Sequence, residues 1–420
     1  MTTSKDYIDM DLKYCAHNYH PIPVVISRAE GVWVYDPEGK KYLDCLSAYS
    51  SQNTGHCHPE IIAALSEQAS KVTLTSRAFH NDLMGPFLKM LAEVVGPHIN
   101  DPSNSGIMSI PMNTGTEAVS TGLKVMRAWG YIKKKIPKNE AIILVCRNNF
   151  HGRTITIVGF SSDISYARYY GNFGPFTPGF KIIPYGDSKE LEHAILEIGP
   201  EKIAAFLFEP IQGEAGVNIP PEGFLRRVRE ICTKHNILMV LDEIQTGFCR
   251  TGKFFACDHE DVKPDMLLLG KALGGGVYPV SACVTTKDII GPDVITPGTH
   301  GSTFGGNPLA CAVAMKSIDI HLRENLAERA TEMGAYFIKR LREIGEKRTI
   351  IPIKDIRGKG LLIAVEFIED ARHIVEKLKD NGILAKDTHS TTIRFAPPLV
   401  ITREEIDWAL DIIEKVIVKQ

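Results

Sequence analysis

The alternation of short apolar runs with helical segments, from about residue 110 onwards, constrains the fold of this chain most. Apolar runs of strand length lie at 141–145, 203–208, 237–241 and 266–269, and helical segments are predicted at 116–131, 188–198 and 223–235. Strands that alternate with helices form βαβ units, in which the strands build a mostly parallel sheet. The sequence therefore predicts an α/β fold.

The segments on either side of this region follow another pattern. Residues 32–43 form two β-patterned runs around the turn Asp36-Pro37-Glu38-Gly39, which predicts a hairpin. After about residue 325, helices at 325–346 and 372–381 alternate with strands at 361–367 and 392–395, and a capping box at Thr402 begins a last helix. We predict three segments: 1–55 and 321–420 form a small α+β domain, and 56–320 forms a large domain.

Composition excludes several classes of protein. With 420 residues, 44% of them hydrophobic and 23% charged, the chain has the composition of a globular protein with a large core. The formal net charge of -2 supplies no positive field for nucleic acid, and no apolar run approaches the roughly 18 residues that suggest a membrane span. The first fourteen residues are acidic and lack Arg, unlike a mitochondrial transit peptide, so we expect a cytoplasmic location.

Cysteine and histidine placement gives little sign of a metal or disulfide framework. The nine cysteines are scattered and form no C-x-x-C pair, which indicates reduced thiols. The cluster His56-Cys57-His58 has the residue types of metal ligands, but no second ligand pair follows at a suitable spacing. A structural loop is the alternative, and we predict no metal site.

Two polar residues at the ends of apolar strands carry the chemical signal. Asp242 follows the apolar run 237–241, and ligands of open α/β sheets bind at the carboxyl ends of strands. Asp242 could also be an ordinary helix N-cap. Lys271 follows the run 266–269 among glycines and small residues, where loss of solvent lowers a lysine pKa and makes the amine a nucleophile that forms Schiff bases. A solvated surface lysine is the alternative.

Two Gly-rich segments could hold a phosphate. Both 113–118 and 300–308 lead small and polar residues into a predicted helix, whose free backbone N–H groups and dipole favour an anion. The same residue types also cap ordinary helices. A Schiff-base lysine, a strand-end acid and a phosphate cradle together indicate pyridoxal 5'-phosphate as the simplest cofactor.

Five motifs, in order along the chain, resemble those of the class III (subgroup II) pyridoxal-phosphate-dependent aminotransferases, and the resemblance covers nearly the whole chain. They are Asn113-Thr114-Gly115-Thr116-Glu117-Ala118, Phe150-His151-Gly152-Arg153-Thr154, Glu209-Pro210-Ile211-Gln212-Gly213-Glu214-Ala215-Gly216, Asp242-Glu243-Ile244-Gln245-Thr246-Gly247 and Gly270-Lys271-Ala272-Leu273-Gly274-Gly275-Gly276. The resemblance implies fold type I, with a mostly parallel, seven-stranded sheet and helices on both faces. It also implies a homodimer with active sites at the subunit interface.

The resemblance assigns roles to matching positions. Lys271 and Asp242 would be catalytic: the lysine would bind the cofactor covalently and move the substrate proton, and the carboxylate would pair with the pyridine nitrogen. Phe150 would stack on the ring, or could be plain core, and Thr303 would reach the phosphate from the other subunit. The full cofactor set implied is Gly115, Thr116, Phe150, Glu209, Asp242, Gln245, Lys271, Ser302 and Thr303.

Two arginines would recognise substrate carboxylates. Arg153 and Arg394 each offer a bidentate fork, so a dicarboxylate would use both. A substrate with one carboxylate needs one arginine masked, and the resemblance gives that task to Glu214 on Arg394. Tyr19 would join Arg153 at the carboxylate and Tyr49 would shape the pocket for a free α-amino group, although either could be an interface tyrosine.

Further motifs resemble the branch of this class that acts on ornithine. They are His17-Asn18-Tyr19-His20-Pro21, Thr75-Ser76-Arg77-Ala78-Phe79, Phe173-Gly174-Pro175-Phe176, His300-Gly301-Ser302-Thr303 and Ile393-Arg394-Phe395-Ala396-Pro397-Pro398-Leu399. The implied reaction is ping-pong transfer of the δ-amino group of L-ornithine to 2-oxoglutarate, with L-glutamate 5-semialdehyde and L-glutamate as products.

Some positions depart from that branch. His151 stands where Trp is common, His80 where Tyr or Phe is usual, and Val119-Ser120 replace a more typical pair. These departures leave acetylornithine, 4-aminobutyrate or another ω-amine donor as the alternative. An aminomutase or a decarboxylase on the same scaffold, and a non-catalytic binding protein on an inherited enzyme fold, are further alternatives.

Overall fold

The computed structural model describes residues 2–162 and 170–419. Its strands are β1 Arg28–Glu30, β2 Trp33–Tyr35, β3 Lys41–Asp44, β4 Ile107–Met112, β5 Ile142–Cys146, β6 Phe180–Ile183, β7 Ile203–Phe208, β8 Leu238–Asp242, β9 Met266–Leu269, β10 Ser281–Thr286, β11 Ile353–Lys359, β12 Leu362–Phe367, β13 Ile383–Leu384, β14 Lys386–Thr388 and β15 Thr392–Phe395.

The longer helices are Ser4–Tyr14, Pro59–Ala69, Met84–Val95, Gly115–Ile132, Ser188–Ile198, Phe224–Lys234, Pro308–Arg323, Leu326–Gly345, Arg372–Asp380 and Arg403–Ile417. Short helical segments lie at Ser47–Ser50, Ile155–Val158 and Lys287–Ile290. Three of the long helices begin at capping boxes, and Thr3 with Asp6 caps the first of them, Ser4–Tyr14. Thr114 with Glu117 caps the helix Gly115–Ile132, and Thr402 with Glu405 caps the last helix, as its sequence predicts.

A seven-stranded sheet forms the centre of the molecule. Its strand order is β4-β10-β9-β8-β7-β5-β6. The neighbours β9-β8, β8-β7, β7-β5 and β5-β6 pair in parallel, whereas β10 is antiparallel to both β4 and β9. Six strands therefore point one way, and the carboxyl ends of the parallel strands meet at one edge. The predicted α/β fold with a mostly parallel sheet is confirmed.

Both faces of this sheet are buried. In β7, Phe206 and Phe208 pack on one face and Ala205 and Leu207 on the other, because successive side chains point in opposite directions. The first face packs against the helices Met84–Val95, Ser188–Ile198, Phe224–Lys234 and Pro308–Arg323, and the second against Gly115–Ile132. Double burial explains why these strands are continuous apolar runs rather than alternating ones.

Two four-stranded sheets lie outside the central sheet. One has the order β1-β2-β3-β13, in which the predicted hairpin pairs in antiparallel fashion and β13 pairs in parallel with β3. The other has the order β11-β12-β15-β14. The pairing of β13 with β3 joins the two ends of the chain in one sheet. The division at residues 55 and 320 stays a prediction, and the helix Pro308–Arg323 runs past the second of these positions.

The cysteines and the histidine cluster have plain surroundings. All nine cysteines are unpaired, and seven of them are buried. His56 Nε2 lies 2.8 Å from Asp44 Oδ2, and His58 Nε2 lies 3.5 Å from Glu324 Oε1. Within 2–162 and 170–419, no group of three such side chains is arranged to hold a metal ion. No helix of the described residues is both long and apolar enough to cross a membrane.

Candidate active site

A cavity of about 270 Å³ opens at the carboxyl ends of β5, β7, β8 and β9. Its position follows from the sheet, because parallel strands end at the same edge and their following loops converge there. The lining residues are Thr114, Gly115, Thr116, Phe150, His151, Gly152, Glu209, Ile211, Glu214, Asp242, Ile244, Gln245, Thr246 and Lys271. The cavity brings together eight of the predicted site residues, from Gly115 to Lys271.

Asp242 ends β8 and is held through both carboxylate oxygens. Its Oδ2 lies 2.7 Å from His151 Nδ1, and its Oδ1 accepts a hydrogen bond from the backbone N–H of Ile244 at 3.1 Å. The side chains of His151 and Asp242 are both buried. Burial alone would lower the pKa of His151, but the hydrogen bond and charge of Asp242, together with the charge of Glu209, raise it. The contact with Asp242 therefore shifts the imidazole of His151 toward its protonated form.

Lys271 follows β9 and has a left-handed backbone conformation, with φ of +45°. A non-glycine residue in this region is strained, and such strain concentrates at functional sites. Burial is the main cause that lowers the pKa of the Lys271 amine, while the carboxylates of Glu214, Asp242 and Glu209 act in the opposite direction. A lowered pKa places more of the amine in its neutral, nucleophilic form.

Glu209, at the end of β7, fixes two loops of the cavity. Its Oε1 accepts a hydrogen bond from the Phe150 N–H at 2.9 Å, and its Oε2 accepts one from the Gly213 N–H at 3.3 Å. Burial, together with the charge of Asp242, raises the pKa of Glu209 to about 7, against the charge of His151 and the two backbone hydrogen bonds. Glu209 therefore positions the aromatic ring of Phe150 through the main chain.

The start of the helix Gly115–Ile132 forms a small polar cradle. Thr116 Oγ1 is buried and has no hydrogen-bond partner among the described residues. Gly152 approaches it closely: a Cβ at that position would lie 2.7 Å from Thr116 Cβ, and its φ of +121° also favours glycine. A Cβ on Gly115 would approach Ile244 to 3.1 Å. Free N–H groups and the helix dipole make this cradle suited to an anion.

An ion pair closes another wall of the cavity. Arg394 Nη1 lies 2.8 Å from Glu214 Oε1, and that oxygen also accepts from Gln245 Nε2 at 3.1 Å. The Arg394 side chain is only 2% exposed and that of Glu214 24%. Burial alone would raise the pKa of Glu214, but the charges of Arg394 and Lys271 and the two hydrogen bonds lower it to about 2. The ring of Tyr49 lies 5.0 Å from the Arg394 guanidinium carbon.

The second predicted arginine lies at the mouth of the cavity. Arg153 is exposed, and its Nη1 donates to the Tyr19 hydroxyl at 3.0 Å. Its guanidinium carbon lies 5.4 Å from the ring centres of both Tyr19 and Phe150. Tyr19 itself is 62% exposed. The structure thus places Arg153 and Tyr19 in contact with each other and beside the cavity.

Ser302 and Thr303 lie outside this cavity. Ser302 Oγ accepts hydrogen bonds from Asn113 Nδ2 and from the Gly305 N–H, both at 3.0 Å. Thr303 is exposed. Their predicted part in cofactor binding, which for Thr303 involves the other subunit, stays a prediction.

Comparison with known proteins decides the family. The sequence profile of the family described as aminotransferase class-III matches residues 14–417. The chain belongs to the class-III aminotransferases.

Several relatives of this class-III aminotransferase are similar over their full length. The ornithine aminotransferase of Brevibacillus brevis is 56% identical over 417 residues, which cover 99% of each chain. A solved structure of the ornithine aminotransferase from Toxoplasma gondii, which reveals partial occupancy of PLP at the active site, is 47% identical. It has a TM-score of 0.92 and covers 99% of this chain and 94% of that one. The acetylornithine aminotransferase from Elizabethkingia anophelis is 48% identical with a TM-score of 0.87, and the match covers 99% of both chains.

The donors and acceptors of this class-III aminotransferase fit pyridoxal phosphate. Thr116 and Gln245 line the cavity, and in the part of the chain that the structure describes Thr116 Oγ1 and Gln245 Oε1 are buried without a hydrogen-bond partner. Buried polar atoms are normally satisfied, so unpartnered ones facing a cavity indicate a bound group. An anion cradle, a lysine amine, a strand-end carboxylate and an aromatic ring correspond to the phosphate, the aldehyde, the ring nitrogen and the ring face of that cofactor.

Sequence reasoning about this aminotransferase missed the role of His151. The sequence connects this residue with substrate choice, whereas the structure places its ring against Asp242. The lining residues Ile211, Ile244 and Thr246 belong to the sequence motifs but carry no predicted role of their own. The available signal was the position of His151 after a parallel strand, because that strand ends at the same edge as β8.

Proposed function

We propose that this class-III aminotransferase binds pyridoxal 5'-phosphate and transfers the δ-amino group of L-ornithine to 2-oxoglutarate. The products are L-glutamate 5-semialdehyde and L-glutamate, formed in two alternating half-reactions. The ion pair between Glu214 and Arg394 beside Lys271 carries this proposal, since it suits a site that accepts substrates with one and with two carboxylates in turn. The ornithine aminotransferases at more than 50% identity support the same donor.

The bound cofactor supplies an electron-withdrawing ring that accepts the electron pair released when a substrate C–H bond loses its proton. Lys271 would hold the cofactor through its amine and, once displaced by the substrate amine, would take up that proton as a general base. Asp242, oriented by His151 and by the Ile244 N–H, would keep the ring nitrogen protonated. Phe150 would stack on the ring.

The remaining contacts would set the cofactor's orientation. Thr116 Oγ1 and the first N–H groups of the helix Gly115–Ile132 would bind the phosphate, since this hydroxyl has no partner within 2–162 and 170–419. Gln245 Oε1, which is also without a partner in the described parts of the chain, would face the hydroxyl side of the ring. Glu209 would act through the backbone of Phe150 and Gly213.

Glu214 and Arg394 would distinguish the two half-reactions. With ornithine bound, Arg394 stays paired with Glu214, and the single substrate carboxylate binds Arg153 and Tyr19, which already contact each other. Tyr49 would then line the space for the free α-amino group. With 2-oxoglutarate bound, the second carboxylate takes Arg394 from Glu214, so both arginines hold the substrate.

We also propose a cytoplasmic homodimer. The loop at Ser302 and Thr303 would complete the phosphate site of the other subunit, and the exposure of Thr303 in the single chain supports this assignment. The nine unpaired cysteines support a reducing compartment.

Acetylornithine or 4-aminobutyrate as the amino donor is the second candidate. It is favoured by the acetylornithine aminotransferase structure at 48% identity and by His151 at a position where the ornithine branch commonly has Trp. Both donors present an ω-amine to the same cavity, so the fold and mechanism are common to the two candidates.

The deciding experiment is a single half-reaction without an oxo acid. Holoenzyme is mixed separately with L-ornithine, N-acetylornithine and 4-aminobutyrate, while the visible absorbance band of the bound cofactor is followed. Loss of the band with L-ornithine, together with a cyclising product that reacts with an o-aminobenzaldehyde reagent, is the expected result. Faster loss with N-acetylornithine or 4-aminobutyrate would replace the donor and leave the reaction class intact.

A further inference from the structure

Tyr49 lies on a run of left-handed backbone. Residues Ser47–Ser50 have φ values of +52°, +46°, +59° and +74°, and none of them is glycine. Left-handed backbone is unfavourable for residues with a Cβ, and it persists only where the surrounding contacts impose it. We call this run the left-handed turn. Because such strain concentrates at functional sites, the contacts that impose the left-handed turn are of functional interest.

Asp44 holds the start of the left-handed turn. Its Oδ1 accepts hydrogen bonds from the N–H groups of Leu46 at 2.8 Å and Ser47 at 2.9 Å. Its Oδ2 lies 2.8 Å from His56 Nε2, and the side chains of His56 and Asp44 are only 14% and 10% exposed. Because His56 occupies the second oxygen, the carboxylate keeps its first oxygen directed at the two N–H groups.

A second set of contacts joins the left-handed turn to the chain segment that carries Arg394. Ser47 Oγ donates to the carbonyl of Ala396 at 2.6 Å, and the Ala396 N–H donates to the carbonyl of Cys45 at 2.7 Å. Ala396 is two residues after Arg394. The turn and the arginine are thus fixed to each other.

The left-handed turn directs Tyr49 at the substrate side of the cavity. The Tyr49 carbonyl accepts from Gln245 Nε2 at 3.5 Å, and its ring lies 5.0 Å from the Arg394 guanidinium carbon. Gln245 also contacts Glu214, so the placement of Tyr49 bears on the wall that contains the ion pair.

We infer that His56 is a positioning residue for the amino-donor pocket: through Asp44 it fixes the left-handed turn, and thereby the placement of Tyr49 against Arg394. The inference rests on the proposed function, which assigns Tyr49 to the α-amino side of ornithine. It also gives His56, the first residue of the sequence cluster His56-Cys57-His58, a role other than metal binding.

Matched variants of the holoenzyme test the inference. His56→Phe keeps a ring but removes the donor to Asp44, whereas His56→Gln keeps an N–H donor near the position of Nε2. His58→Asn is the control, since His58 faces Glu324 and not Asp44. We expect the half-saturation concentration for L-ornithine to rise about tenfold in His56→Phe, because one hydrogen bond to a charged group is lost. We expect recovery in His56→Gln and no change in His58→Asn.

Two further readouts separate positioning from a general loss of structure. The half-saturation concentration for L-glutamate should change less than about twofold in His56→Phe, because glutamate depends on the arginines rather than on Tyr49. In combination with Tyr49→Ala, the effect of His56→Phe should disappear, since the ring that His56 positions beside Arg394 is then absent. Equal losses for both substrates, or multiplication of the two effects, would overturn the inference.

Failure of the inference is distinguishable from failure of the proposed function. Wild-type protein that transfers no amino group from L-ornithine refutes the function, and the inference falls with it. Wild-type activity together with unchanged ornithine saturation in His56→Phe overturns the inference alone. Should His56→Phe lose its cooperative melting transition, His56→Asn, whose amide is too short to reach Asp44, carries the same test.

Discussion

Replacement of Glu214 by glutamine gives the sharpest test of how this site accepts two kinds of substrate. The pKa of Glu214 is about 2 against an ordinary 4.5. At 1.36 kcal/mol for each pKa unit, the surroundings favour the carboxylate by about 3 kcal/mol. The Glu214 side chain is 24% exposed, so solvent screens part of this interaction. A substrate therefore has to overcome less than the full free energy that favours the carboxylate. We take about 1.4 to 3 kcal/mol as the range, roughly ten- to a hundredfold in rate.

The expected result of Glu214→Gln is a change in substrate preference rather than a loss of activity. In this variant residue 214 carries no charge. A dicarboxylate therefore no longer has to displace a charged partner from Arg394 before its second carboxylate binds there. The ratio of kcat/KM for L-glutamate to that for L-ornithine should therefore rise about ten- to a hundredfold. The assay follows the cofactor band in each half-reaction separately, at saturating cofactor.

Glu222→Gln is the matched control, because it removes the same charge from an exposed side chain. It should leave the ratio unchanged. A folded Glu214→Gln protein with the wild-type ratio would refute the reasoning, since the ion pair would then have no part in the choice of substrate.

The remaining predictions concern the lysine, the anion cradle and a buried acid. Lys271→Ala should abolish amino transfer while the melting temperature stays within a few degrees of wild type, as checked by product assay and thermal denaturation; substantial residual turnover would contradict the catalytic role. Gly152→Ala should weaken binding of pyridoxal phosphate to the apoprotein about tenfold or more, because the added Cβ meets Thr116 and φ is +121°, and titration of the apoprotein measures this effect. Burial raises the pKa of Glu243 to about 7. The folded protein therefore holds this proton between pH 4.5 and 7 while the unfolded chain does not, and the free energy of unfolding should fall by up to about 3 kcal/mol over that range relative to Glu243→Gln, as measured by urea denaturation at each pH. Parallel pH profiles for the two proteins would show that Glu243 does not titrate in this way.

The sequence and the structure connect His151 with different parts of the site. In the sequence, His151 departs from the ornithine branch and is naturally connected with substrate choice. In the structure, its ring faces Asp242, which belongs to the proposed cofactor side of the cavity. The substitution therefore bears first on the electrostatics around Asp242, and donor choice has to be measured directly.

Local sequence patterns determined the elements and the loops that carry chemistry. The runs 203–208 and 266–269 coincide with β7 and β9, and the segment 188–198 coincides with its helix. The capping box at Thr402 marks the start of the last helix. These features depend on residues close together in the chain, on burial of both sheet faces and on satisfaction of helix-end N–H groups, so the sequence alone specifies them.

Only the tertiary structure decided which distant side chains meet. Glu214 and Arg394 are separated by 180 residues, yet their charged atoms lie 2.8 Å apart, and His151 reaches Asp242 across 91 residues. The motif resemblance named the partners of the first pair but not the second, and it gave no reason for the left-handed backbone at Tyr49. Such contacts depend on the order of strands in the sheet and on the segments packed above its edge, and no local periodicity encodes that order. The elements therefore follow from the sequence, whereas the electrostatics of the site follow from how the elements pack.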